Sequence, residues 1–300
     1  MRKLAVAVGV FLAVGAGLGV IAATAIYVVS QREMRRTYPV TVTPLAIPTD
    51  SATIARGAHL ARSVGTCVEC HGEDLGGKLY ADMGPVGLIA GPNLTRGRGG
   101  IGDELTVTDW VRALRYGVRR DSTSLIVMPS EVYAYMSDAD LAAVIAYARQ
   151  VSPVDREMAA TRFGPLGRAL LAAGKLGVLV APKTPRLTYD SVVPPGVSVE
   201  YGRYLASIGG CHGCHGFGLS GGRVAGPEGL PPASNLTPGG TTGAWTEADF
   251  VRAMRQGTRP DGSVLNTFMP WPVLGRMTDD ELQAIWLYLR SVPSKPFGNK

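Results

Sequence analysis

The sequence predicts an all-α protein: two tandem helical modules behind an N-terminal transmembrane helix. Three observations predict it. Leu4 to Val29 carries no charged side chain over 26 positions, enough to cross a bilayer as a helix. A series of short motifs recurs at offsets of 140 to 145 residues, so most of the remaining chain is two copies of one module of roughly 100 residues. Within each copy apolar residues recur at helical spacing, whereas strand-like alternation is scarce and the connections are rich in Gly and Pro.

Taken in order, residues 1–36 form the membrane anchor. Arg2 and Lys3 precede the apolar run, and Arg32, Arg35 and Arg36 end it. Ala23-Thr24-Ala25 resembles a signal-peptidase site, yet Ile26 to Val29 extend the apolar run beyond it. A secretory apolar region is also usually shorter, so an uncleaved anchor is expected. Positive charge at both ends leaves orientation undecided by charge bias. Residues 37–51, rich in Pro and Thr, read as an extended spacer.

The first module spans residues 52–153, an interdomain linker 154–196, and the second module 197–300. A short helix opens each module, Ile54 to Val64 and Ser198 to Ile208. A second begins at Thr106, with Asp109 placed to cap it and Leu105 and Trp110 to staple it; Thr246, Asp249, Trp245 and Phe250 repeat the pattern. A final helix begins at Ser137 with Asp140, and at Thr278 with Glu281. Apolar spacing carries it through Leu141, Val144, Ile145 and Ala148, and through Leu282, Ile285, Trp286 and Leu289. In the linker, Pro165 to Ala181 is apolar but holds Arg168 and Lys175. It is expected to pack between the modules, with an amphipathic segment on the membrane surface as the alternative.

The chemistry lies in two pentapeptides, Cys67-Val68-Glu69-Cys70-His71 and Cys211-His212-Gly213-Cys214-His215. They use all four cysteines and three of the four histidines. Cys-x-x-Cys-His is the attachment string of c-type haem: two thiols join the porphyrin by thioethers and the adjacent imidazole takes the iron. A dithiol or a shared four-thiolate zinc site would leave the histidine after each pair unexplained. Cys67, Cys70, Cys211 and Cys214 are therefore the expected attachment residues of two haem groups, with His71 and His215 as iron ligands. Haem takes every thiol, so no disulfide is expected.

Two repeated methionine pairs compete for the opposite iron face. Met136 and Met277 immediately precede the capping residues Ser137 and Thr278, where an apolar side chain staples the helix. Met128 and Met269 lie in Met-Pro steps within irregular segments, 57 and 54 residues after their motif histidines. A thioether held by a proline-stiffened loop suits coordination, so these two are the expected axial ligands.

On these residues the chain resembles a membrane-anchored dihaem class I cytochrome c, similar to the cytochrome c subunits of bacterial membrane-bound alcohol and gluconate dehydrogenases. The matching features are the two Cys-x-x-Cys-His strings and the Asn-Leu-Thr loops at Asn93 and Asn235. They also include the Asp-Trp/Phe-Val-Arg-Ala helices, the Met-Pro steps and the final helices, over about residues 52–153 and 197–293. The resemblance implies that Gly57 and Gly202 let the first helix of each module cross the last one closely, near Tyr147 and Tyr288. It implies haem domains facing the periplasm from the bacterial inner membrane, because c-type maturation occurs outside the cytoplasm. Those relatives usually carry three haem modules, and this chain has two.

With imidazole and thioether filling both axial positions, each module is expected to pass single electrons and perform no bond chemistry. Two placements compete: a tethered carrier between a quinol-oxidising complex and a terminal oxidase, or the electron-transfer subunit of a periplasmic dehydrogenase. A dihaem peroxidase would need an opening iron site, and His59 and His212 are the spare histidines. The net charge of +6 and pI of about 9.2 reflect arginines such as Arg96, Arg98, Arg112, Arg115, Arg119 and Arg120. They read as a solvated face that pairs in part with haem propionates, or as a docking surface for an acidic partner. No nucleic-acid motif is present.

Overall fold

The computed structural model describes residues 2–185, 187, 193–224 and 229–298. Residues 186 and 188–192 of the expected linker, and the outer ends of the anchor and second module at residues 1 and 299–300, lie outside them. Helix α1 (Arg2–Arg35) runs unbroken through the apolar stretch. Its apolar side chains stay exposed, and Ser30 is its one buried residue among those described. Among the described residues nothing packs along Leu4 to Val20, and the helix is long and apolar enough to cross a membrane.

The first module contains α2 (Ser51–Arg62), α3 (Cys67–His71), strands β1 (Lys78–Asp82) and β2 (Gly87–Gly91), α4 (Val107–Tyr116), α5 (Ser130–Tyr133) and α6 (Asp138–Gln150). Then come β3 (Arg162–Phe163) and α7 (Pro165–Ala172). The second module repeats the helices as α8 (Val199–Ile208), α9 (Cys211–His215), α10 (Glu247–Gln256), α11 (Trp271–Leu274) and α12 (Asp279–Ser291).

The all-α expectation needs correction. β1 and β2 form an antiparallel hairpin, and β3 adds to β2 by pairing Gly87 with Phe163 and Leu88 with Arg162. The corresponding stretch of the second module shows one bridge, Gly222 with Ala233, among its described residues. Short strands bounded by glycine have too little alternation to stand out from loop.

Capping follows the sequence. Thr106, Thr246 and Thr278 each accept the N–H of Asp109, Asp249 and Glu281, whose carboxylates return to the cap. Ser137 likewise accepts the Asp140 N–H at 3.1 Å, but no reciprocal bond forms. Asp140 turns its carboxylate outward to the other module instead. In both modules the first and last helices cross at glycine. A Cβ on Gly57 would lie 1.9 Å from the Ala143 carbonyl oxygen, and one on Gly202 1.9 Å from that of Ala284. Tyr147 and Tyr288 stand beside the crossings, as the resemblance implies.

The modules share one apolar core, to which both first and last helices contribute Leu60, Leu141, Leu205 and Leu282. Over it lies a pseudo-symmetric polar seam. Arg56 donates to Asp140 of its own module at 3.0 and 3.1 Å and to Glu281 of the other at 3.1 Å. His59 lies 2.7 Å from Glu281, and the equivalent Tyr204 donates to Asp140 at 2.7 Å. Although burial opposes it, the His59 and Thr278 hydrogen bonds hold the Glu281 carboxyl below its ordinary value. At the rim, Arg276 forms a two-pronged pair with Glu73 at 2.7 and 3.0 Å.

The linker does not pack between the modules as expected. Helix α7 lies against α1, β2 and β3. Arg168 explains this: its guanidinium stacks 4.7 Å from the Tyr27 ring and donates to Ser30 and Gln31. An aromatic face and two side-chain oxygens on α1 satisfy a cation that a dry module junction would leave unpaired.

Candidate haem sites

Each site is built on a one-turn helix that starts from a left-handed residue. Thr66 has φ 48° before α3, and Gly210 has φ 75° before α9. Both end at a glycine of φ 79° and ψ 161°, Gly72 and Gly216, a conformation suited to glycine alone. One turn of helix places Cys67, Cys70 and His71 on a common side, and likewise Cys211, Cys214 and His215.

The histidines are buried, 6% and 8% exposed, and their rings are held the same way. His71 Nδ1 lies 3.0 Å from the Pro92 carbonyl oxygen, and His215 Nδ1 2.8 Å from that of Ser234. A carbonyl accepts only, so Nδ1 carries the proton and Nε2 the lone pair. That is the tautomer a metal requires, with an outer partner fixing the ring. Burial also lowers the His71 pKa, favouring the neutral ligating form.

The carbonyls are positioned by residues that the sequence marked as repeated without revealing their task. Asn93 donates to the Val154 and Arg156 carbonyls at 2.7 and 3.1 Å. Its Oδ1 accepts from the Thr95 N–H and hydroxyl at 2.9 and 2.8 Å. Asn235 repeats this with the Lys295 carbonyl at 2.7 Å and with Thr237 at 2.9 and 2.8 Å. Each asparagine thus straps the segment after the last helix to the loop that faces the histidine. Beneath it, Leu75 and Leu219 adopt φ 55° and 56°, and Gly77 and Gly221 donate to the histidine carbonyls at 2.8 and 2.9 Å. The 144-residue offset of the cysteines maps these pairs onto each other. Aligning the two copies at that offset was the signal available for them.

Burial pushes the thiols of Cys67, Cys70 and Cys211 up to about 11. A reactive dithiol needs the opposite shift. No group of three or more His, Cys, Asp or Glu able to hold a metal occurs among the described residues, so the two motifs do not converge on a shared zinc site. The residues fit haem instead: paired thiols, a buried imidazole of fixed tautomer, and close backbone behind it. A Cβ on Gly91 would lie 1.9 Å from the Cys70 carbonyl oxygen. The buried indole N–H groups of Trp110 and Trp271, one per module, find no acceptor in the polypeptide among the described residues. Each is a donor for a polar group the protein itself does not supply.

The two methionine pairs differ in burial. Met136 and Met277 are 1% and 2% exposed inside the core. Met128 and Met269 are partly buried in irregular segments against it. Tyr80 on β1 has its pKa raised by burial and by the charges of Cys70, Glu69 and Cys214, so the hairpin lies close to both motifs.

The spare histidines stand apart from this arrangement. His59 belongs to the module seam, and His212 stacks on Phe217 with ring centres 5.9 Å apart. The arginines of the first module are largely committed. Arg112 and Arg120 pair with Asp109, Arg115 pairs with Asp138, and Arg119 donates to the Ser124 carbonyl. Arg96 and Arg98 stay exposed.

Comparison with known proteins follows the same division. Residues 52–147 match the family described as cytochrome c oxidase, cbb3-type, subunit III, and residues 199–293 match cytochrome c. The cytochrome c subunit of the quinone alcohol dehydrogenase of Gluconobacter oxydans (strain 621H) is 29% identical over 282 residues, which cover 83% of this chain and 56% of that protein. The fructose dehydrogenase cytochrome subunit of Gluconobacter japonicus is 30% identical over 283 residues, covering 87% and 56%. The gluconate 2-dehydrogenase cytochrome c subunit of Pantoea cypripedii is 35% identical over 97 residues, covering 30% and 22%. The chain therefore spans little more than half the length of the first two.

Proposed function

Both modules are cytochrome c domains, and from that premise we propose that this chain is a membrane-tethered dihaem electron carrier serving as the cytochrome subunit of a dehydrogenase. Cys67 with Cys70, and Cys211 with Cys214, hold the two porphyrins. His71 and His215 would ligate the iron through their imidazoles, and Met128 and Met269 through their thioethers. Bound haem supplies a one-electron iron couple, and a neutral thioether opposite imidazole raises its potential. The polypeptide orients the imidazole and buries it away from water, and with a thioether as second ligand a bound iron would keep no position open for a substrate.

The observation that carries this reading is the twice-built imidazole clamp, Nδ1 on a carbonyl that an asparagine strap holds in place. Two equivalent centres on one shared core suit electron entry at one module and exit from the other. The similarity to subunits of alcohol and fructose dehydrogenases favours a dehydrogenase over a quinol-oxidising complex as the electron donor. Helix α1 tethers the chain to the bacterial inner membrane, with the haem domains in the periplasm, the side on which haem is attached.

A redox titration with absorption spectroscopy on the detergent-purified protein tests the sites. Two haems, each with a sulfur-to-iron charge-transfer band, are expected. Met128→His should abolish the band of one haem and lower its potential while leaving the other unchanged; two unaltered bands would refute the ligand assignment. Purification from gently solubilised membranes should bring down a stoichiometric dehydrogenase.

A further inference from the structure

Beside the membrane-proximal end of α1 lies a cavity of about 340 Å³ that none of the electron-transfer residues lines. Arg35 of α1, Arg119, Arg162 of β3 and Arg168 of α7 all face it, against a single carboxylate, Asp121. Asp121 is already occupied, since it accepts from the Thr123 N–H and hydroxyl at 2.9 and 2.7 Å. Arg35 and Arg162 are exposed, and their side chains make no hydrogen bond or ion pair among the described residues. Arg119 and Arg168 make only neutral contacts, with the Ser124 carbonyl and with Tyr27, Ser30 and Gln31. Four guanidiniums with so little counter-charge, two of them without side-chain partners among the described residues, call for an anion from outside the chain.

The position of the cavity says which anion. The apolar run of α1 ends at Val29. Gln31, Met34 and Arg35, which line the cavity, follow within about 3 to 9 Å along the axis at the rise of a helix. That is the depth of the headgroup layer above the hydrocarbon core. Tyr27, half-exposed and stacked under Arg168, is the aromatic expected at that boundary. Leu166 on α7 is also exposed beside it. An open cavity at this level admits a headgroup whose acyl chains run down the bare flank of α1.

We propose that this cavity binds the phosphodiester headgroup of an anionic phospholipid, with Arg35, Arg119, Arg162 and Arg168 as its contacts. The site locks α7 and the β-hairpin of the first module against the membrane and so sets the height of that module above the bilayer. The proposal rests on the tether reading of α1. It differs from general attraction of basic residues to acidic membranes because the four cations come from separate elements and enclose one volume.

The test uses the full-length, haem-loaded chain. Flotation with neutral phosphatidylcholine vesicles reports the tether alone. Native mass spectrometry from discs of mixed phosphatidylcholine and phosphatidylglycerol reports the site. Phosphatidylglycerol should be retained well above its share of the bilayer. The double substitution Arg35→Gln with Arg162→Gln should weaken retention by about 25-fold, at about fivefold for each arginine near an anionic surface. Flotation should be unchanged. Equal retention of both lipids, or enrichment that survives the double substitution, overturns the proposal. Displacement of the lipid by equimolar inorganic phosphate would show a site for free anions and overturn it too. Loss of flotation on neutral vesicles, by contrast, is the signature of a failed tether reading, and the lipid site falls with it.

Discussion

Asn93→Ala removes the strap behind the first histidine. Asn93 is fully buried and makes four side-chain hydrogen bonds, to Val154, Arg156 and twice to Thr95. Alanine leaves a buried Thr95 N–H and two carbonyls without these partners. Each unsatisfied buried group costs about 1–3 kcal/mol, but the Thr95 hydroxyl, 3.4 Å from the Val154 carbonyl oxygen, can donate there instead, so the net loss is about 3 kcal/mol. With a urea slope of about 2 kcal/mol/M, the unfolding midpoint should fall by about 1.5 M. Asn235→Ala breaks three such bonds, so about 2 kcal/mol and 1 M are expected. Equilibrium urea unfolding of the haem-loaded variants, followed by fluorescence and haem absorption, gives both numbers. The Asn93 variant should also lose iron–histidine ligation at lower denaturant than wild type, because the Pro92 carbonyl no longer has a fixed neighbour. An unchanged midpoint in both variants, or a larger effect at Asn235, would refute the reasoning.

Three further outcomes follow from the packing and charges. Gly57→Ala and Gly202→Ala each drive a Cβ into a backbone carbonyl at 1.9 Å. Overpacking of about 1–3 kcal/mol should outweigh the roughly 1 kcal/mol helix advantage of alanine and lower the melting temperature. Gly177→Ala, with no atom within 4 Å of the new Cβ, should leave melting unchanged. The depressed Glu281 pKa makes its contribution to the module seam complete above its ordinary value of 4.5 and lost as pH falls through the lower folded value. Acid unfolding followed by seam fluorescence should therefore shift to lower pH in wild type than in Glu281→Gln, where that dependence is absent. Glu73→Gln breaks only the exposed pair with Arg276, so stability should change by less than about 1 kcal/mol.

The repeat made much of this protein legible beforehand. The glycine crossings were implied by the family resemblance, whereas cap residues such as Thr106 and Thr278 and the cysteine–histidine strings depend on residues close in sequence. Such determinants survive without knowledge of the fold, and comparing two copies inside one chain filters out accident. The hairpin at Lys78 to Gly91 was missed because its five-residue strands carry too little alternation, and the third strand that joins them is only two residues long and lies 71 residues downstream of Gly91. The linker was misplaced for a similar reason, since apolar spacing shows that α7 has a face to bury and not what it meets.

Chemistry was thus written locally: two sulfurs and an imidazole on one helical turn, and a charge-free run long enough for a bilayer. Tertiary structure decided what those groups experience. Only the fold brings the Pro92 and Ser234 carbonyls to Nδ1, sets Arg56 between carboxylates of two modules, and gathers four arginines at the foot of α1. Each of these depends on the relative placement of distant segments, which many residue pairs set jointly and no short pattern encodes.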